Sequence, residues 1–268
     1  MSLPRIVVPS QGLVPHSEVV VPPDKSRYLL SVLRMRIGDR LTVTDGCGKA
    51  YESVIVSVKE RTVRVSLGHE IPAVRESPAP LVLCQGVLKG RKMDMVIQKT
   101  TELGVSEIVP LITTFCVVRE TRKADRWRKI AEEAAEQSGR TSVPRVHEPC
   151  ELARFLQSVT PARDSTGSGL LFKERGGLPL AVALEHVAGG GDAGGQDARQ
   201  VTLLVGPEGG FSEDEARDAE GRGFIPSTLG GRTLRAETAA IVAVAIVAYL
   251  LQERLSACNP SSDSPDLL

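Results

Sequence analysis

The chain has 268 residues, 41% of them hydrophobic, enough to bury one large core or two smaller ones. Its 33 Lys and Arg balance 33 Asp and Glu, which argues against a protein that grips nucleic acid with its whole surface. Cys47, Cys84, Cys116, Cys150 and Cys258 are odd in number and widely spaced, and His16, His69, His147 and His186 are not clustered, so neither a disulfide framework nor a metal site is expected.

The charge is unevenly spread: residues 1–75 carry 11 Lys and Arg against 7 Asp and Glu, a net of +4, and the remainder is −4. These first residues read as short strands around one helix. Arg5–Val8, Glu18–Val21, Arg40–Thr44, Lys49–Val58 and Thr62–Leu67 are β-like, with Asp45-Gly46 as a turn. Asp24 can cap a helix over Lys25–Arg34 that ends near Gly38. Turn-linked strands of this kind suggest a small barrel over 1–73, and the proline-rich Ile71–Pro80 reads as a linker.

From Leu81 strands alternate with helices, the signature of an α/β fold with a largely parallel sheet. Leu81–Gly86 and Glu107–Ile112 read as strands. Lys92–Leu103 reads as a helix with Met93, Val96, Ile97, Thr100 and Leu103 on one face and Gly104 as its stop. Asp125–Ser138 is a second helix, with Trp127, Ile130, Ala131 and Ala134 inward and Gly139 at its end. A weak strand near Arg145–His147, a helix at Glu151–Ser158, the strand Gly169–Phe172 and a helix around Leu178–Val187 follow. Ala188–Gln200 is low-complexity and reads as a surface loop. The second domain spans 80–257, and 258–268 reads as a disordered tail. The longest apolar run, Ala239–Leu251, is shorter than a bilayer span, and MSLPRIVVPS lacks the apolar stretch of a signal peptide, so a cytoplasmic location is expected.

Leu203–Ser212, LLVGPEGGFS, is the most informative segment. An apolar strand, Val201–Val205, runs into Gly206, Pro207, Gly209 and Gly210, where the backbone can turn sharply and meet a ligand. Ser212 and Glu215 form a capping box that starts a helix at once. For a single GPEGG an ordinary strand-to-helix turn is an equally good reading. Leu229–Ala240, LGGRTLRAETAA, supplies a second turn at Gly230-Gly231 and opens a long apolar helix to Leu255, so the two turns could line one pocket. No GxGxxG follows the first strand and no GxxxxGK[ST] is present, so neither the dinucleotide fold nor a phosphate loop is indicated.

Together with LKGRKMDMVIQKTTELGV (Leu88–Val105) and RWRKIAEEAAEQSGR (Arg126–Arg140), these segments resemble, in order and over nearly the whole chain, the bacterial family that methylates N3 of a uridine in 16S ribosomal RNA, members of the knotted SPOUT methyltransferase class. The resemblance implies a PUA-like RNA-binding β-barrel domain over 1–73 and a SPOUT methyltransferase domain with a C-terminal trefoil knot over 80–257. It implies S-adenosylmethionine as cofactor, held by main-chain groups at Leu171, Phe172, Leu204, Gly206, Pro207, Glu208, Gly209, Gly210, Leu229, Gly230, Leu234, Thr238 and Ala239. Lys173, Glu174 and Arg175, where the chain departs from the family pattern, read as surface residues. The implied partners are 16S rRNA or the assembling small ribosomal subunit, and a second copy of the chain in a homodimer.

Methyl transfer to a uracil nitrogen is an in-line displacement, largely a matter of positioning. N3 must lose its proton, and the charge that develops on the ring oxygens needs a donor. Arg235 is the candidate donor, with an ion pair to Glu237 or Glu208 as the alternative reading. Glu208 and Glu237 are the carboxylates available for proton handling, or equally for holding a loop or a helix start. Lys89, Arg91, Lys92, Arg122 and Arg126 could contact phosphates, as could Arg5, Lys25, Arg27, Arg34 and Arg36 on the N-terminal side. With 3% aromatic residues, base stacking is not expected to be widespread. A non-catalytic RNA-binding or ribosome-assembly factor, or a knotted tRNA methyltransferase, are the readings of other kinds.

Overall fold

The structure is a computed structural model that describes residues 3–9, 13–72, 76–77, 79–119, 121–159, 168–188 and 200–258. The chain divides into two compact units, Met1–Arg75 with Glu132–Val143, and Glu76–Ala131 with Pro144–Leu268.

The first unit holds β1 (Arg5–Val7), β2 (Glu18–Val20), α1 (Pro23–Arg27) running on through a π-helical turn at Tyr28–Val32, β3 (Arg40–Thr44), β4 (Ala50–Lys59) and β5 (Thr62–Ile71). The strands expected of a small barrel form one mixed sheet in the order β1-β3-β4-β5-β2, parallel between β1 and β3 and antiparallel elsewhere. Ile6, Leu41, Val43, Tyr51, Ile55, Val65 and Leu67 alternate inward along the strands and enclose Leu29. The helix starts two residues before the expected Lys25, and its N-cap is Pro22, not Asp24. Pro23, with φ already fixed for a helix, sets the earlier start. Ser26 Oγ donates to Val21 O at 3.0 Å and accepts from Val63 N at 3.1 Å, which ties the helix to β5.

Residues 132–143 group with this unit, a contribution the expected boundary at 73 leaves out. Glu136 Oε1 accepts from Val7 N at 2.7 Å and from Lys25 Nζ at 2.6 Å, and Glu132 lies 2.7 Å from the same ammonium. Thr44 Oγ1 donates to Thr141 O at 2.8 Å, and the Arg5 guanidinium donates to Gly139 O.

The second unit contains β6 (Leu81–Gly86), α2 (Lys92–Glu102), β7 (Glu107–Ile112), α3 (Ala124–Ser138, whose later residues group with the first unit), β8 (Arg145–Val146), β9 (Cys150–Glu151), α4 (Leu152–Ser158), β10 (Gly169–Phe172), β11 (Leu178–Pro179), α5 (Leu180–Ala188), β12 (Val201–Val205), α6 (Glu213–Gly221), β13 (Phe224–Thr228) and α7 (Ala236–Cys258). Every strand pairing is parallel, in the order β11-β13-β10-β12-β6-β7-β8, with β9 also on β7. β6, β10 and β12 are buried along their whole length, as continuous apolar runs covered on both faces must be. Val82, Cys84, Leu171 and Leu204 pack with Leu152 and Leu156 of α4 and Ala216 and Ala219 of α6. α7 packs on β6, β12 and α2.

β13 was not anticipated, because FIPST carries a proline in its centre. Ser227 turns its carbonyl toward Lys173 N, so in a parallel ladder the neighbouring Pro226 faces the other way, where β11 pairs only from Ser227 onward. Its missing N–H therefore costs no ladder bond. Pro110 has the same effect in β7: β8 pairs at Glu107 and Ile108, β9 at Leu111 and Ile112, and the edge strand is interrupted between them. α5 correspondingly begins at Leu180 and not at Leu178, which is taken up in β11.

α7 also corrects the reading of its apolar run as too short for a bilayer. Ala236–Glu253 reaches 18 residues at a mean hydropathy of 1.5. Packing assigns it to the core instead, since Ala240, Ala243, Val244, Val247 and Leu251 are buried. Residues 189–199 of the expected Ala188–Gln200 loop lie outside the described residues. So do residues 73–75 and 78 of the linker and 259–268 of the expected tail.

Candidate functional site

The C-terminal ends of β10, β12 and β13 open together onto a cleft of about 540 Å³. This is the end of an open parallel sheet where ligands ordinarily sit. Its walls are Phe172–Arg175, Val205–Phe211, Thr228–Gly230, Arg232–Leu234, Ala216 of α6, and Ala236 and Ala239 of α7.

The loop after β12 is shaped by its glycines. Gly210 N donates to Pro207 O at 2.9 Å to close the turn, and a Cβ on Gly206 would fall 2.9 Å from the carbonyl carbon of Gly210, so no side chain fits where the loop doubles back. The capping box forms as expected: Ser212 Oγ accepts from Glu215 N at 3.2 Å, and Glu215 accepts from Ser212 N at 2.9 Å. The positive end of α6 is thereby turned toward the loop. Gln85 and Gly86, which the sequence reading missed, fix the loop from below. The fully buried Gln85 donates to Gly86 O at 2.9 Å and Gly206 O at 3.1 Å, and a Cβ on Gly86 would lie 2.5 Å from Pro207 N. A glutamine inside the otherwise apolar LVLCQG was the available signal.

Lys92, the first residue of α2, joins three segments. Its ammonium lies 3.3 Å from Glu208 Oε1 in the glycine loop and 3.3 Å from Glu237 Oε2 in the first turn of α7. Glu208 also accepts from Lys89 N at 3.3 Å. Glu237 is buried, and its Oε2 has the ion pair but no directed hydrogen bond. The bond to Glu208 is the main cause that raises the Lys92 pKa, against partial desolvation and with help from Glu237. Burial pushes the Glu208 carboxyl up, but its own amide, that of Lys89 and the Lys92 ammonium outweigh this and hold it below the usual carboxylate value. The anchor is therefore present at and above pH 4.5 and is lost only as the pH falls through that lowered pKa. Glu208 is thus a weak proton acceptor, and Lys92 is engaged with carboxylates, not offered to phosphate. Lys92→Met is expected to lower cofactor affinity by roughly three- to tenfold and, because it leaves the buried Glu237 carboxylate without its cation, to lower the melting temperature as well, as checked by calorimetry and thermal unfolding.

With both carboxylates taken by Lys92, Arg235 is exposed and has no ion pair among the described residues. Its neighbours Leu234 and Ala236 line the cleft and Arg235 does not. Its carbonyl accepts from Ala239 N at 2.8 Å as α7 begins.

Among the other expected cofactor residues, Phe172, Gly206, Pro207, Glu208, Gly209, Gly210, Leu229, Gly230, Leu234 and Ala239 line the cleft. Leu171 and Leu204 are wholly buried in the sheet beneath it, and Thr238 is exposed and off its wall. Lys173, Glu174 and Arg175, read as surface residues, form part of the wall, as does Arg232.

Among the candidate phosphate ligands, Arg27, Arg34, Arg36, Lys89, Arg91 and Arg122 are exposed. Arg126 pairs with Asp94 at 2.7 Å. Lys25 is corrected: it is 7% exposed and is held between Glu132 and Glu136, a structural role that leaves no face for a phosphate. No group of His, Cys, Asp and Glu suited to a metal occurs among the described residues.

Residues 75–248 match the model of an RNA methyltransferase domain, and residues 21–68 that of an RNA methyltransferase PUA domain. A ribosomal RNA small subunit methyltransferase E of Synechocystis sp. (strain ATCC 27184 / PCC 6803 / Kazusa) is 31% identical over 249 residues, covering 92% of this chain and 78% of that protein. The protein of the same name in Bacillus subtilis (strain 168) is 29% identical, with 84% and 88% covered. Among solved structures, a ribosomal RNA small subunit methyltransferase E from Neisseria gonorrhoeae bound to S-adenosyl methionine superposes with a TM-score of 0.79 at 32% identity, covering 92% of this chain and 98% of that one. A methyltransferase of Legionella pneumophila in complex with SAM gives 0.80 at 32% identity, with 93% and 98% covered.

Proposed function

The chain belongs to the RNA methyltransferase family that includes the ribosomal RNA small subunit methyltransferases E, and on that premise we propose that it transfers a methyl group from S-adenosylmethionine to N3 of a uridine in 16S ribosomal RNA. The observation that carries this reading is the glycine-walled cleft at the ends of β10, β12 and β13, with Arg235, which has no ion pair among the described residues, between the wall residues Leu234 and Ala236. About 540 Å³ lies within the range of cofactor sites, roughly 300–1,000 Å³. The donor set also suits the ligand. Residues of three loops line the cleft, among them Gly206, Gly209, Gly210 and Gly230, which leave main-chain groups reachable, and Arg175 and Arg232 can meet a carboxylate while Glu174 can meet an ammonium. When bound there, the cofactor supplies an activated methyl group on a sulfonium sulfur.

The chain's own residues do the rest. The glycine turns admit the cofactor at close range, and Lys92 holds the GPEGG loop and the start of α7 in register through Glu208 and Glu237. Arg235 meets the uracil oxygens and stabilises the charge that appears on them as N3 gives up its proton. Glu208 and Glu237 act as anchors of the loop and not as proton acceptors. The exposed arginines of the N-terminal unit take up RNA phosphates. Incubating the protein with methyl-labelled cofactor and small ribosomal subunits from a strain lacking the enzyme, followed by mass spectrometry of the 16S rRNA, tests the reading. Label on a uracil N3 is expected, and label on a ribose hydroxyl or on tRNA contradicts it.

The active form is a cytoplasmic homodimer built on the outer face of α7. Val242, Ile246 and Tyr249 recur at helical spacing, Ile246 and Tyr249 are 38% and 59% exposed, and Met95 of the neighbouring α2 is 49% exposed. Tyr249→Glu is expected to halve the mass seen by analytical ultracentrifugation. A wild-type monomer, or a dimer unaffected by the change, removes this face from the assembly.

A further inference from the structure

Of the five phenylalanines, only Phe115 is exposed, at 48%. It sits in the loop after β7, and the exposure is not that of a loose loop. Cys116 N donates to Thr113 O at 3.1 Å, and the buried Cys116 Sγ lies 3.4 Å from Thr113 N and 3.5 Å from the carbonyls of Val87 and Leu111. On the other side Thr114 N donates to Glu215 Oε1 at 2.7 Å, and Arg119 donates to Thr114 O at 2.8 Å. The backbone is thus fastened on both flanks of Phe115, whose ring is left half in water. The stem of that ring is placed against the cofactor loop: a Cβ on Gly209 would lie 2.7 Å from Phe115 Cβ, so the glycine is what lets the two loops meet. Arg119, in the same loop, and Lys89, in the connection between β6 and α2, are both exposed.

We propose that Phe115 is a stacking platform for a base of the substrate RNA, a positioning residue that holds the strand at the mouth of the cofactor cleft while Arg119 and Lys89 face its phosphates. The inference rests on the RNA-methylating function above. A rigid, half-exposed aromatic ring with cations beside it suits an unpaired base, whose π-face it can cover whatever the base identity. In a chain with so few aromatic residues, one ring packed against Gly209 of the cleft wall places stacking where it can orient the reacting nucleotide.

Phe115→Ala is expected to weaken binding to small ribosomal subunits by about five- to a hundredfold, the range of one lost base stack, with cofactor affinity unchanged and with Phe115→Tyr close to wild type. Phe115→Trp gives a direct reading, because the native Trp127 is 1% exposed and contributes a constant background. A short single-stranded oligouridylate should quench the new fluorophore, and quench a Val117→Trp control far less, although Val117 is 65% exposed in the same loop. Unchanged subunit affinity in Phe115→Ala, lost cofactor binding, a changed oligomeric state, or equal quenching at both positions would overturn the assignment. A wild-type protein that methylates no ribosomal RNA yet shows selective quenching at position 115 would sink the enzymatic reading and leave the RNA platform standing.

Discussion

Arg235→Lys is expected to slow methylation by one to three orders of magnitude while leaving cofactor affinity within about twofold. Removal of one donor from developing oxyanion charge costs roughly 2–4 kcal/mol, and Lys keeps the positive charge but not the planar fork that meets two acceptors at once. The structure sharpens the case because the ion pairs that could have explained Arg235 are absent: Glu208 and Glu237 lie 3.3 Å from Lys92 instead. Single-turnover rates with saturating RNA make the decision. A near-normal rate would leave Arg235 no part in the chemistry, and a loss of cofactor binding would make it a support for the second glycine turn. Arg235→Ala should fall at least as far as Arg235→Lys, since it loses both charge and geometry.

Much of the second unit was legible because its physics is local. Leu81–Gly86, Glu107–Ile112, Gly169–Phe172 and Val201–Val205 are mostly apolar runs, as a doubly covered parallel strand requires, and all four bounds agree with the structure. Gly104 at φ +93° and Gly139 at φ +80° end their helices in a conformation that other residues resist. Other features depend on partners distant in sequence. β13 is a strand despite Pro226 only because nothing needs the missing N–H, a fact of sheet order. Lys92 looked like one more cation beside Lys89 and Arg91, and only the fold brings it to Glu208 and Glu237. The periodicity of α3 marked its apolar face but could not reveal that Glu136, also buried on that helix, belongs with residues 1–75.

That buried cluster carries the second large effect: Lys25→Met is expected to destabilise the protein by about 3–5 kcal/mol, the usual cost when one partner of a buried pair is removed and the other stays charged. Lys25 and Glu136 are 7% and 9% exposed, so neither can recover water cheaply once the other is gone. Burial alone would lower the Lys25 pKa, but hydrogen bonds to Glu132 and Glu136 outweigh it and raise the ammonium above its ordinary value. Burial pushes Glu136 upward in spite of Lys25 and the Val7 amide, so the two partners shift in senses that disagree about the pair's worth. The direction for Lys25 is the firmer one, because one ammonium faces two carboxylates at 2.7 and 2.6 Å. A pKa raised on folding gives stability that is complete below the unfolded value, 10.5, and is lost as the pH climbs through the folded one. The stability gap between wild type and Lys25→Met, measured by chemical denaturation, should therefore be full at neutral pH and close only in strong alkali. Adding Glu136→Gln to Lys25→Met should recover part of the loss, since the stranded charge is then removed. A gap below about 1 kcal/mol at neutral pH would show that the cluster behaves as an exposed surface pair and does not hold residues 132–143 to the N-terminal sheet.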